Sequence, residues 1–253
     1  MGTLDDKVAL VTGAGQGVGQ GIALALAAEG ASVAVLGRTR EKLDACCALL
    51  RARGVRAEAF PCDVADTEAV PRVVEQVAEE FGGIDILVNN AYSGSYGPLL
   101  GMTDADFQRG FASGPFAAFA LMRACHPHLR RRGGGSIVNL VSSAMVRWDQ
   151  STYGAYAAAK TAIRSLTRTA AAEWGVDGIR VNSVAPHAAS PGYLAWQRAN
   201  PEEAEEFCRS IPLRYVGDCE EDIGRAVALL CGPGARYLTG ATVPLDGGQG
   251  NFD

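Results

Sequence analysis

Lysine is nearly missing from this sequence. Of 23 lysines and arginines, only Lys7, Lys42 and Lys160 are lysines. A chain so biased to guanidinium that still places an ammonium points to a need there for a compact, titratable charge. Positive charge is scarce overall: the net charge is −5. That excludes the basic footprint of a nucleic-acid-binding protein. The run Arg130-Arg131-Arg132 precedes Gly133-Gly134-Gly135 and reads as a helix end before a turn. No apolar run reaches membrane-spanning length, and Asp5, Asp6 and Lys7 precede the first apolar segment. No membrane span and no signal peptide are expected, and a cytoplasmic location follows. A metal-ligand set is lacking as well. Cys125-His126-Pro127-His128 has a proline between its histidines and no second cluster to complete it, so no metal is expected. The seven cysteines are expected to be reduced thiols, since Cys46 and Cys47 are adjacent and an adjacent pair does not readily form a relaxed disulfide. Repeats, low-complexity tracts and linkers are also missing, so one domain is expected over residues 1–253.

What is present is core. Hydrophobic residues make up 48% of the chain, enough for one sizeable α/β domain. β-rich runs recur at 7–12, 33–37, 56–61, 84–89, 136–141, 180–184 and 242–245. Helix-like segments separate them at 17–29, 40–53, 66–81, 104–131, 152–175 and 219–231. This alternation predicts an α/β fold, a doubly wound, Rossmann-type, mainly parallel seven-stranded sheet with helices on both faces. Right-handed crossovers then place a ligand across the carboxyl ends of the strands.

Two motifs carry chemistry. The apolar run Lys7–Thr12 enters a glycine cluster, Gly13, Gly15, Gly17 and Gly19, with Gln16 and Val18 between, and a helix follows. Glycines allow close backbone approach to a pyrophosphate, and the helix start offers free N–H groups and a positive dipole end. The second motif is Tyr156-Ala157-Ala158-Ala159-Lys160. At i, i+4 a phenol and an ammonium share one helix face. A fixed positive charge nearby favours phenolate and lowers the phenol pKa, which makes a tunable acid/base.

With Cys62-Asp63-Val64, Asn89-Asn90-Ala91, Asn182–Pro186, Ile211–Arg214, Asp222-Ile223, Tyr237–Gly240 and Asp246–Gly248, these motifs resemble the short-chain dehydrogenase/reductase family along essentially the whole chain. The resemblance implies hydride transfer between a nicotinamide and a carbonyl or secondary alcohol. Ser142, Tyr156 and Lys160 would be catalytic. Gly13, Gly15, Gln16, Gly17, Val18, Gly19, Arg38, Asp63, Val64, Asn90, Ala91, Tyr156, Lys160, Pro186 and Ala189 would hold the cofactor. Residues 187–215 would form a helical flap over the substrate, and 104–131 and 152–175 would build a homodimer or homotetramer interface. Strand register favours Ser142 as the serine, while counting back from Tyr156 gives Ser143. A dehydratase or epimerase on the same scaffold, or a non-catalytic dinucleotide-binding regulator, are the alternatives.

Charge bears on the cofactor. The second strand ends in Gly37-Arg38-Thr39-Arg40, with no carboxylate to accept a ribose hydroxyl and two guanidiniums for a 2′-phosphate. NADP is expected, with NAD the other possibility. Three residues depart from the family pattern: Tyr92 stands for a glycine, Gly114 for an asparagine that supports a proton-relay water, and His187 for a glycine. The aromatic residues Tyr92, Trp148, Tyr193 and Trp196 suggest a partly hydrophobic ketone or alcohol as the small-molecule partner.

Overall fold

The computed structural model describes residues 2–147, 151–250 and 252. Trp148, one of the aromatic candidates, lies outside the described residues. Seven strands form one sheet: β1 (Val8–Thr12), β2 (Ser32–Gly37), β3 (Ala57–Pro61), β4 (Ile86–Asn89), β5 (Gly135–Leu140), β6 (Ile179–Pro186) and β7 (Thr242–Leu245). Their order is β3-β2-β1-β4-β5-β6-β7, and every neighbouring pair is parallel.

Alternation along each strand feeds two cores. Ala9, Val11, Ile86 and Val88 point to one face, against Ile22 and Leu26 of α1 (Gly17–Ala28), Leu43 and Leu50 of α2 (Arg40–Arg51), and Val227 of the last helix. Leu10, Leu87 and Ile137 point to the other face. There they meet Val73, Val74 and Val77 of α3 (Val70–Phe81), and Leu121, Cys125 and Leu129 of a helix described below. Strands buried on both sides are what a parallel sheet under two helical layers requires.

The helices depart from the sequence reading where side chains intervene. Asp66 accepts the Glu68 and Ala69 N–H groups, so 66–69 form a turn and α3 starts only at Val70, beside Pro71. The stretch 104–131 is not one helix. It splits into α4 (Asp104–Phe111) and α5 (Ala117–Arg131) around a wide turn that holds Gly114, at φ −97° and ψ −105°, and Pro115. The helix bearing Tyr156, α6 (Gly154–Trp174), begins after Thr152, whose φ is +71°. Residues 187–215 carry two short helices, α7 (Pro191–Ala199) and α8 (Pro201–Ser210), and α9 (Arg225–Cys231) closes the series.

The order reverses between β1 and β4. Chain segments leaving these two strands diverge, and the gap between them opens at Thr12 and Asn89. This is where an open α/β sheet accommodates a ligand.

Candidate functional site

At that gap the backbone is stapled. Thr12 Oγ1 accepts the N–H groups of Asn90 and Ala91, both at 3.0 Å, and Asn90 Nδ2 donates to the carbonyls of Thr12 and Gly13 at 2.9 and 3.2 Å. Gly13 sits at φ +64°, and a Cβ there would lie 2.8 Å from Asn90 Nδ2. A Cβ on Gly19 would lie 2.4 Å from the same atom. Only glycine lets the turn close on Asn90. Gln16 precedes α1 without capping it through its side chain, so the first N–H groups of the helix stay open to a ligand.

A cleft of about 970 Å³ runs from this turn to the start of α6. It is lined by every residue named above as catalytic or cofactor-holding except Ala189. Ala189 instead donates its N–H to the Gly217 carbonyl at 2.8 Å, and its neighbours Ala188 and Ser190 face the cleft. Arg38 lines the cleft and lies 4.0 Å from Asp63. Arg40 does not. Its Nε donates to both oxygens of Asp44, one turn on. The second cation is Lys42, which the sequence reading missed. Its Nζ donates to Gln16 Oε1 at 2.7 Å across the glycine turn. No spacing rule links residues 26 apart; a Lys one turn into the helix after β2 was the available signal.

Ser142 lines the cleft and hydrogen-bonds the Tyr156 phenol, whereas Ser143 is buried and is not a lining residue. Lys160 is buried, and its Nζ donates to the Leu140 carbonyl at 2.8 Å. Burial lowers its pKa to about 8. Burial raises the Tyr156 pKa, with Tyr96, Tyr92 and Tyr153 adding to the rise and the Ser142 hydrogen bond opposing it. This direction is opposite to the one the i, i+4 pairing suggests. The phenol sits among three other phenols, and the ammonium, 5.6 Å from its ring centre, is turned toward Leu140. The site therefore holds a protonated phenol at neutral pH.

Two of the departures from the family pattern, Tyr92 and Gly114, lie against each other. The Tyr92 ring lies 5.0 Å from the Tyr156 ring, edge-on, and 5.0 Å from Lys160 Nζ. It fits because Gly94 and Gly110 lack side chains: a Cβ on either would come within 2.2 or 2.8 Å of the Tyr92 hydroxyl, whereas one on Gly114 would make only ordinary contact with the ring, at 3.4 Å. The hydroxyl is buried without a hydrogen-bond partner, and burial pushes its pKa up to about 12. The third departure, His187, lines the cleft against Phe207, 4.9 Å between ring centres. Burial lowers its pKa, with Asp246 opposing the fall and Arg147 adding to it, which favours the neutral imidazole.

The described residues hold no cluster of three or more histidines, cysteines or carboxylates that could take a metal ion, and none of their helices is long and apolar enough to cross a membrane.

Residues 13–249 match the family model described as enoyl-(acyl carrier protein) reductase. The chain is 40% identical to a 12alpha-hydroxysteroid dehydrogenase of a Clostridium species, over 99% of each sequence. Among solved structures it resembles a 7 alpha-hydroxysteroid dehydrogenase complexed with NADH and 7-oxo glycochenodeoxycholic acid, with 32% identity, TM-score 0.90, and 97% and 94% of the two chains covered. It also resembles an NAD+-bound xylitol dehydrogenase, with 35% identity, TM-score 0.89, and 97% and 99% covered.

Proposed function

This chain belongs to the short-chain dehydrogenase/reductase family of oxidoreductases, and from that premise we propose that it transfers a hydride between NADP(H) and a carbonyl or secondary alcohol. The observation that carries this reading is one cleft lined by the glycine turn and by Ser142, Tyr156 and Lys160 together.

The residues fit a dinucleotide. The glycine cradle, which a Cβ would fill, and the uncapped start of α1 receive its pyrophosphate. Asp63, Val64, Asn90, Ala91 and Pro186 line the path between its two ends. Arg38 and Lys42, with no carboxylate on the loop after β2, support a 2′-phosphate and hence NADP over NAD. The NAD+ and NADH of the two structural relatives belong to those proteins; the preference proposed here rests on this chain's own cations.

Bound there, the nicotinamide supplies or accepts the hydride. Tyr156 donates its hydroxyl proton to the substrate oxygen during reduction and takes one back during oxidation. Ser142 hydrogen-bonds that oxygen. Lys160, buried with its ammonium on the Leu140 carbonyl, would hold the nicotinamide ribose. Burial keeps the phenol protonated, the form that reduction consumes and oxidation regenerates. The helices α7 and α8 serve as the flap over the substrate. Exposed Phe116 and Phe119, at the wide turn and on α5, support self-association as a homodimer or homotetramer.

The test is loss of NADPH absorbance with a ketone panel, alongside Tyr156→Phe. The substitution should cost at least ~10²-fold in kcat with cofactor affinity retained. Near-wild-type turnover in Tyr156→Phe sinks the assignment.

A further inference from the structure

Two groups of aromatic rings line the cleft. The first surrounds the reactive phenol: Tyr96 lies 5.1 Å from Tyr153 and 5.4 Å from Tyr156, ring centre to ring centre, with Tyr92 behind. The second comes from the end of β6 and the two flap helices. His187, Tyr193, Trp196 and Phe207 are joined by contacts of 4.9 to 6.4 Å. All of these rings face the cleft, and no ring contact among the described residues joins the two groups. Both groups therefore offer aromatic surface to one cleft.

None of these rings carries a charge, although Asp246 and Arg147 act on His187 from outside the lining. Among the described residues, the charged side chains that line the cleft are Arg38, Lys42, Asp63 and Lys160. The first three lie on the segments that follow β2 and β3, and Lys160 is buried with its ammonium on the Leu140 carbonyl. Burial favours the neutral form of His187, and its Nδ1 is buried without a partner. A carboxylate or phosphate held between the rings would lose its water and find no counter-ion among the described lining residues. A polyhydroxylated chain would leave hydroxyls unpaired against ring faces, a loss that discriminates steeply. A rigid apolar ring system loses neither and gains contact on two faces.

We propose that the substrate is an uncharged ketone or secondary alcohol carried on a rigid, apolar ring system, held between the Tyr96/Tyr153 rings and the Trp196/Phe207 rings. This rests on the reading of Tyr156 as the acid/base of a hydride transfer.

The experiment compares kcat/KM with NADPH for three ketones: 2-decalone, an uncharged fused ring; dihydroxyacetone, a hydroxylated open chain; and acetoacetate, an anion. NADPH affinity is followed in parallel by fluorescence. Covering about 100 Å² of apolar substrate surface corresponds to roughly 50-fold in kcat/KM, so 2-decalone should exceed both others by about that factor. Trp196→Leu and Phe207→Leu should each lower the ratio of 2-decalone to dihydroxyacetone by about tenfold, for the loss of part of one wall. Equal or better use of dihydroxyacetone or acetoacetate by the unaltered protein overturns the substrate class and leaves the oxidoreductase reading standing. Tight NADPH binding with no ketone reduced overturns both. The comparison within the unaltered protein decides the matter even where a substitution impairs folding.

Discussion

Replacing Tyr92 with phenylalanine should make this protein more stable. The Tyr92 hydroxyl is buried, has no hydrogen-bond partner among the described residues, and is pressed between Gly94 and Gly110. A buried polar group left unpaired costs about 1–3 kcal/mol. Phenylalanine removes that cost and keeps the ring, and with it the edge contact to Tyr156 and the face offered to Lys160, each at 5.0 Å. Taking 2 kcal/mol as the middle of the range and about 3 °C per kcal/mol for a chain of this length, Tm should rise by roughly 6 °C. Turnover should stay within about threefold, since no acid, base or cofactor contact is touched. Calorimetry on the two proteins in one buffer measures it. Tyr92→Leu is the control: it also removes the hydroxyl but loses the ring, forfeiting about 1–2 kcal/mol of aromatic and cation–π contact. An unchanged or lower Tm for Tyr92→Phe would refute the reasoning, because it would mean the hydroxyl is satisfied.

Lys160→Met should abolish most turnover yet stabilise the fold at neutral pH. The Lys160 pKa falls from 10.5 to about 8 on folding, so the folded state binds fewer protons than the unfolded state between those values and stability rises with pH across that window. Below pH 8 the full penalty, about 3 kcal/mol, is present, and denaturant unfolding at pH 7 and pH 10 should show the methionine variant's advantage shrinking at the higher pH. Arg38→Ala and Lys42→Ala should each weaken NADPH by about 10-fold or more and NADH little, as expected for a lost charge-assisted hydrogen bond of about 1.5–3 kcal/mol; equal losses for both cofactors, read from kcat/KM, would remove the 2′-phosphate from the argument.

Local pattern made the scaffold legible. Strands buried on both faces read as short apolar runs, and the glycine turn announces itself because the stretch from Gly13 to Gly19 cannot close on Asn90 with side chains at its key positions. Tyr156 and Lys160 were legible for a similar reason: i, i+4 on a helix is geometry the chain carries within itself. What escaped depends on distant packing. Lys42 reaches Gln16 only because α2 folds back over the turn, and Arg40 is claimed by Asp44 on its own helix. The direction of the Tyr156 pKa is set by burial, with Tyr96, Tyr92 and Tyr153 adding to it, and no periodicity brings that surrounding together. The break between α4 and α5 had a written signal in Gly114 and Pro115, but its neighbour in space, the Tyr92 ring, was not in the local sequence.

The room around Tyr92 also makes three positions one unit. A Cβ at position 94 or 110 would lie 2.2 or 2.8 Å from the Tyr92 hydroxyl, so a side chain at either would push the ring out of its place beside Tyr156. Moving this part of the aromatic wall into another chain of the same fold therefore means moving Tyr92 together with both glycines.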